Sequence, residues 1–142
     1  MAFTGNYTCN SFKQQLFEGD FDFSSGTTQT FRIALYTNDA VLDQTTTTYT
    51  STGEVVASGY SAGGELITPS LAIDSTNGVA YIDFTNASWS GAFTARGALI
   101  YRVTTGNPAI CVLDFGSDKT STTTFQVEFP PNTSTAALIR LA

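Results

Sequence analysis

The chain has 142 residues, with 6 Lys+Arg against 12 Asp+Glu, a formal net charge of −6 and no histidine. This length predicts one domain, large enough to bury an ordinary core. Without imidazole there is no Ser-His-Asp or Cys-His nucleophile system, no histidine base and no histidine metal ligand. So few cations argue against nucleic-acid binding and against adsorption to an anionic membrane, both of which need clustered positive charge.

The opening MAFTGNYTCN lacks the charged and apolar regions of a secretory signal, so no export is expected. A short helix is predicted over residues 11–18. Asn10 or Ser11 would cap it, Phe12 and Leu16 share a face at i, i+4 with Phe17 beside them, and Gly19 supplies a left-handed stop. Two turns do not persist without packing. Phe3 and Tyr7 before the helix and Phe21 and Phe23 after it extend this into an apolar arm, residues 1–23. A terminal segment so apolar needs a cover, so Phe3, Tyr7, Phe12, Leu16, Phe17, Phe21 and Phe23 form the expected docking surface.

The rest reads as strands. Phe31, Ile33 and Leu35 alternate with Arg32, Ala34 and Tyr36, the period of a half-buried strand. Further runs are predicted over 54–58, 65–68, 70–74, 78–85, 96–104, 109–115, 123–129 and 136–141. Asn77-Gly78, Gly106-Asn107-Pro108, Gly116-Ser117-Asp118 and Pro130-Pro131-Asn132 mark turns between them. The runs 98–101 and 110–113 are apolar on both faces, which suits central strands joined by a hairpin. Short strands at this spacing predict an all-β fold: one antiparallel β-sandwich domain spanning 1–142, of about 8 strands, with one short N-terminal α-helix. Jelly roll and Ig-like Greek key stay open. A Thr-rich connection crosses 38–53, and its loop 39–52 is long enough to face a partner.

Several motifs suggest chemistry and lack its context. Gly59-Tyr60-Ser61-Ala62-Gly63 spells a nucleophile elbow, but no histidine exists and no helix can follow Gly64 through Pro69. It reads as a turn. Asp114-Phe115-Gly116 matches the kinase magnesium motif without that family's other parts. The carboxylate pairs Asp20/Asp22, Asp39/Asp43 and Asp114/Asp118 read as turn and edge residues rather than a Ca²⁺ or glycosidase site. No catalytic residue, cofactor or metal is expected. Cys9 and Cys111 are expected to be free and buried. Trp89 is expected near a strand end, where an exposed ring would stack on sugar.

The string Met1-Ala2-Phe3-Thr4-Gly5-Asn6-Tyr7 with Ser11-Phe12-Lys13-Gln14-Gln15-Leu16 resembles a family of small virion structural proteins of tailed bacteriophages. Phe31-Arg32-Ile33-Ala34-Leu35-Tyr36-Thr37, Gly59-Tyr60-Ser61-Ala62-Gly63-Gly64, Thr94-Ala95-Arg96-Gly97-Ala98-Leu99-Ile100-Tyr101 and Val112-Leu113-Asp114-Phe115-Gly116-Ser117-Asp118-Lys119 extend the resemblance over nearly the whole chain. It implies a non-enzymatic particle component made in the host cytoplasm. The first expectation is a capsid decoration (cement) protein on the outer capsid surface, with the major capsid protein and copies of itself as partners. The alternative is a tail or fibre component, an adaptor or receptor-binding domain contacting another tail protein or a host surface glycan.

Overall fold

The computed structural model describes residues 3–142. It is all-β apart from one helix, with antiparallel pairing throughout and a sandwich-like arrangement of sheets. The elements are β1 (Tyr7–Thr8), α1 (Asn10–Glu18), β2 (Thr30–Tyr36), β3 (Glu65–Ile67), β4 (Pro69–Asp74), β5 (Val79–Phe84), β6 (Ala87–Ser90), β7 (Thr94–Val103), β8 (Ala109–Thr120), β9 (Thr124–Val127) and β10 (Ile139–Leu141). The main sheet has the order β1-β8-β7-β2-β3, and smaller sheets run β10-β5-β4 and β6-β9.

The doubly apolar runs are interior strands, as their composition requires. β7 lies between β2 and β8, and every residue from Ala95 to Tyr101 is buried. Layers cover both faces. On one face Tyr49 stacks on Tyr101 with ring centroids 4.8 Å apart. On the other, Phe31 packs against Phe23 of the segment before β2, at 5.0 Å, and against Phe84 of β5, at 6.0 Å. A second aromatic group, Tyr60, Trp89, Phe93 and Phe125, joins the small sheet to the same core.

Local expectations are corrected at several points. The helix begins at Asn10, with Cys9 at the N-cap position and no side-chain cap. Neither proposed cap residue serves, because both lie inside the helix: the Asn10 N–H donates to the Gln44 carbonyl at 2.9 Å, and the Ser11 hydroxyl is buried without a partner. The stop is as read: Gly19 is left-handed, at φ 83°, and donates to the Leu16 carbonyl. Residues 54–58 do not form a strand. Only Glu54 bridges, to Tyr36, and Val56 projects fully into solvent. β1 and β6, of two and four residues, are too short for a periodicity to show in the sequence. Residues 136–138 precede the last strand rather than joining it.

The Thr-rich connection is fastened down rather than free. The Ala109 N–H donates to the Thr47 carbonyl and the Tyr49 N–H to the Asn107 carbonyl, both at 3.0 Å. The connection's own Ala40 and Leu42 are buried. Gly64 closes the following strap against β2. Its φ is 79°, and a Cβ there would run into the Ile33 carbonyl, so only glycine allows this approach.

Candidate interaction surface

The N-terminal aromatics are core, not a docking face. Phe3, Phe12, Phe21 and Phe23 are all buried. Phe12 meets Phe21 edge-on at 4.8 Å, and Phe21 stacks on Phe23 at 5.9 Å. Phe3 lies against Gly97 of β7, where a Cβ would displace its ring. Tyr7 and Leu16 are half-buried against the same core, and Tyr7 shares a hydrogen bond with Thr4 at 2.8 Å. Phe17 alone of the seven is exposed, at 84 %. The arm does need a cover, but the domain's own sheet provides it.

Besides Phe17, Val41, Val56 and Val103, the large exposed apolar side chains group on edge strands. The β3–β4 segment exposes Leu66, Leu71 and Ile73, and β10 exposes Leu141. Register explains the grouping. Ile73 pairs with Ala80 and Ala80 with Leu141, while Leu71 pairs with Ile82 and Ile82 with Ile139. Directly opposed residues share a face, so these six side chains form one apolar stripe across the three strands. Ile82 carries the stripe into the core, and its Ile73–Leu141 end is open. β4 and β3 are each the edge of their sheet, and a groove of about 470 Å³ runs beside them, between the 24–27 turn and Leu66–Leu71.

Buried polar groups are spent on structure. Glu54 is 6 % exposed and accepts three hydrogen bonds: Oε2 from the Tyr49 hydroxyl at 2.6 Å, and Oε1 from the Tyr60 hydroxyl at 2.6 Å and the Gly63 N–H at 2.7 Å. Tyr60 also accepts from the Leu35 N–H of β2 at 2.8 Å. Burial first, and the bond to Glu54 second, push the Tyr49 and Tyr60 hydroxyls well above the ordinary phenol range, so both stay protonated donors. This cluster ties the strap to the main sheet. Burial likewise raises the Asp83 carboxyl, whose Oδ2 is buried without a partner.

The Gly59–Gly63 motif lies in this strap as a pair of turns with Ser61 exposed, not as a strand-to-helix elbow. Asp114 pairs with Arg96 at 3.3 Å and accepts the Gly116 N–H at 2.8 Å. Asp22, Asp43 and Asp74 cap their own turns through Ser24, Thr45, and Thr76 with Asn77. The bonds from Asn77 and then Ser134 draw the Asp74 carboxyl down to about 2. No group of three or more metal-ligating side chains converges among the described residues. Trp89 is 2 % exposed, so it offers no sugar platform.

Cys9, between β1 and α1, and Cys111 of β8 are both buried and unbridged, and the Cys9 N–H donates to the Ile110 carbonyl at 2.9 Å. Burial, then the nearby Asp43, raises the Cys9 thiol to about 11, and burial drives Cys111 higher still. Neither thiol should react with a thiol reagent at pH 8 in the native protein, and both should react in denaturant. A single native-state titration would contradict this if it found a full equivalent reacting within minutes.

Comparison with protein-family models, curated proteins and solved structures returns no match to this chain.

Proposed function

We propose that the chain is a non-enzymatic structural protein of a tailed-bacteriophage particle, acting as a capsid decoration protein on the outer shell. One observation carries the reading. Of the large apolar side chains that the fold leaves exposed, Leu66, Leu71, Ile73 and Leu141 group on the edge strands β3, β4 and β10, apart from Phe17, Val41, Val56 and Val103, while the buried polar groups hold the strap and turns. An exposed apolar patch on a well-packed β-domain suits burial against another protein. The family resemblance supplies the particle as the setting. The glycan-binding form of the fibre alternative has less support, since Trp89 is buried and the Thr-rich loop is fastened to the sheet.

Binding to isolated particle parts tests the proposal. Purified protein should co-sediment with expanded capsids that lack it, and not with isolated tails. Binding to tails alone would favour the adaptor reading, and binding to neither would end the particle assignment.

A further inference from the structure

We propose that the β4 edge pairs antiparallel with the same edge of a second copy, across a two-fold axis at Ala72. This goes beyond the particle assignment and does not depend on it.

β4 is hydrogen-bonded on one side only. Its ladder to β5 is fixed near both ends: the Thr85 N–H donates to the Thr68 carbonyl at 3.0 Å and the Gly78 N–H to the Asp74 carbonyl at 2.8 Å. Antiparallel residues alternate between facing the partner strand and facing away. Ser70, Ala72 and Asp74 therefore turn their main-chain groups to β5, and Leu71 and Ile73 turn theirs outward. Protected edges carry lysine, mid-strand proline or a bulge. β4 has none of these. Its proline is the first residue, and its register with β5 runs without a shift from Pro69 to Asp74.

The edge complements itself. A two-fold axis at Ala72 sets Leu71 opposite the partner's Ile73 and Ile73 opposite the partner's Leu71, on one face. Leu71 and Ile73 are 50 % and 69 % exposed in the single chain, so the pairing covers apolar surface that is now open. The outward N–H and C=O of Leu71 meet those of the partner's Ile73 as a reciprocal pair, and the symmetry repeats it. On the other face Ser70 comes opposite the partner's Asp74. Both are already bonded within their own chain, Ser70 to Asn132 and Asp74 to Asn77 and Ser134, so this face sets no two acids together and leaves the apolar face to hold the pair. A chain of net charge −6 repels its own copies over most of its surface, so a contact free of like charges is the place for a second copy. The two three-stranded sheets would become one, with the apolar stripe running from Leu141 of one chain through both β4 strands.

Sedimentation velocity on the full chain tests this, with Ile73→Lys as the variant. The wild type should be a dimer, or an assembly of dimers. The variant should shift to monomer and still melt cooperatively, without the concentration dependence of the wild type, because Ile73 is surface-exposed in the single chain. Cysteine cross-linking gives a second readout. The axis residues form a non-hydrogen-bonded pair with Cα atoms about 4.5 Å apart, within disulfide range, so Ala72→Cys should yield a covalent dimer under mild oxidation. Ser70→Cys should not, since those thiols would lie roughly 13 Å apart. A monomeric or strictly trimeric wild type, an oligomer that survives Ile73→Lys, or equal cross-linking of both cysteine variants would overturn the proposal.

Discussion

Replacing Phe12 by alanine should lower the unfolding free energy by about 3–5 kcal/mol, the range for deleting a buried aromatic ring. The ring is 1 % exposed, on a helix of nine residues that has no side-chain cap. It meets Phe21 at 4.8 Å and Phe23 at 6.1 Å, so its loss opens a cavity beneath both. Such a helix does not stand alone, so the loss should also release α1 from β8. A domain of this size is stable by roughly 5–15 kcal/mol, so the variant should be marginal at 37 °C. Deleting residues 1–23 removes Phe3, Cys9, Phe12, Phe21 and Phe23 together and should leave no cooperative urea transition. A detachable docking arm would give the opposite result: a Phe12→Ala cost below about 1 kcal/mol and a truncated chain that still melts sharply.

Glu54→Leu should cost on the order of 3 kcal/mol, because it strands the buried Tyr60 donor, at a desolvation penalty of roughly 1–3 kcal/mol, and two half-buried donors at a smaller one. The Tyr60 hydroxyl and the Gly63 N–H both lose Oε1, and the Tyr49 hydroxyl loses Oε2. Glu54→Gln should cost less than half as much. Its amide oxygen replaces Oε1, and its NH₂ can donate to Tyr49, whose hydroxyl then accepts. Urea melts of the two variants check the order, and an equal cost would mean that the hydrogen bonds do not hold the strap. The tyrosines also fix an alkaline limit. Their folded pKa values lie above the ordinary phenol value of 10.0. Their contribution is therefore complete below pH 10 and is lost as the pH rises further, when the unfolded chain releases phenolic protons that the native state retains. Stability should fall above pH 10 in the wild type.

The sequence carried the layers better than the connections. Phe31, Ile33 and Leu35 share the face of β2 on which Phe31 meets Phe23 and Phe84. Ala34 and Tyr36 on the other face are buried as well, so β2 is covered on both faces rather than half-buried. The 98–101 run is apolar throughout because β7 is likewise covered on both faces. Those signals are local and repeat over several residues. Val55 and Val56 looked like strand residues, but Gly53 and Gly59, both at positive φ, confine them to a strap with one bridge. The reading of the N-terminal arm failed for a related reason. A terminal aromatic cluster shows that something must cover it, but the covering residues, Gly97 of β7 and Phe31 of β2, are distant in sequence and become neighbours only in the fold. The β4 edge was hidden differently. Leu71 and Ile73 alternate as any half-buried strand does, and only the sheet order shows that no strand is paired beside them.

The measurement that most directly tests the assignment of this domain to a phage shell is its copy number per particle. Virions of the tailed phage proposed as its source would be purified, and the protein quantified by mass spectrometry against the major capsid protein. A decoration protein predicts a ratio near one, or a simple fraction of that order. A handful of copies per particle, or none, would contradict it.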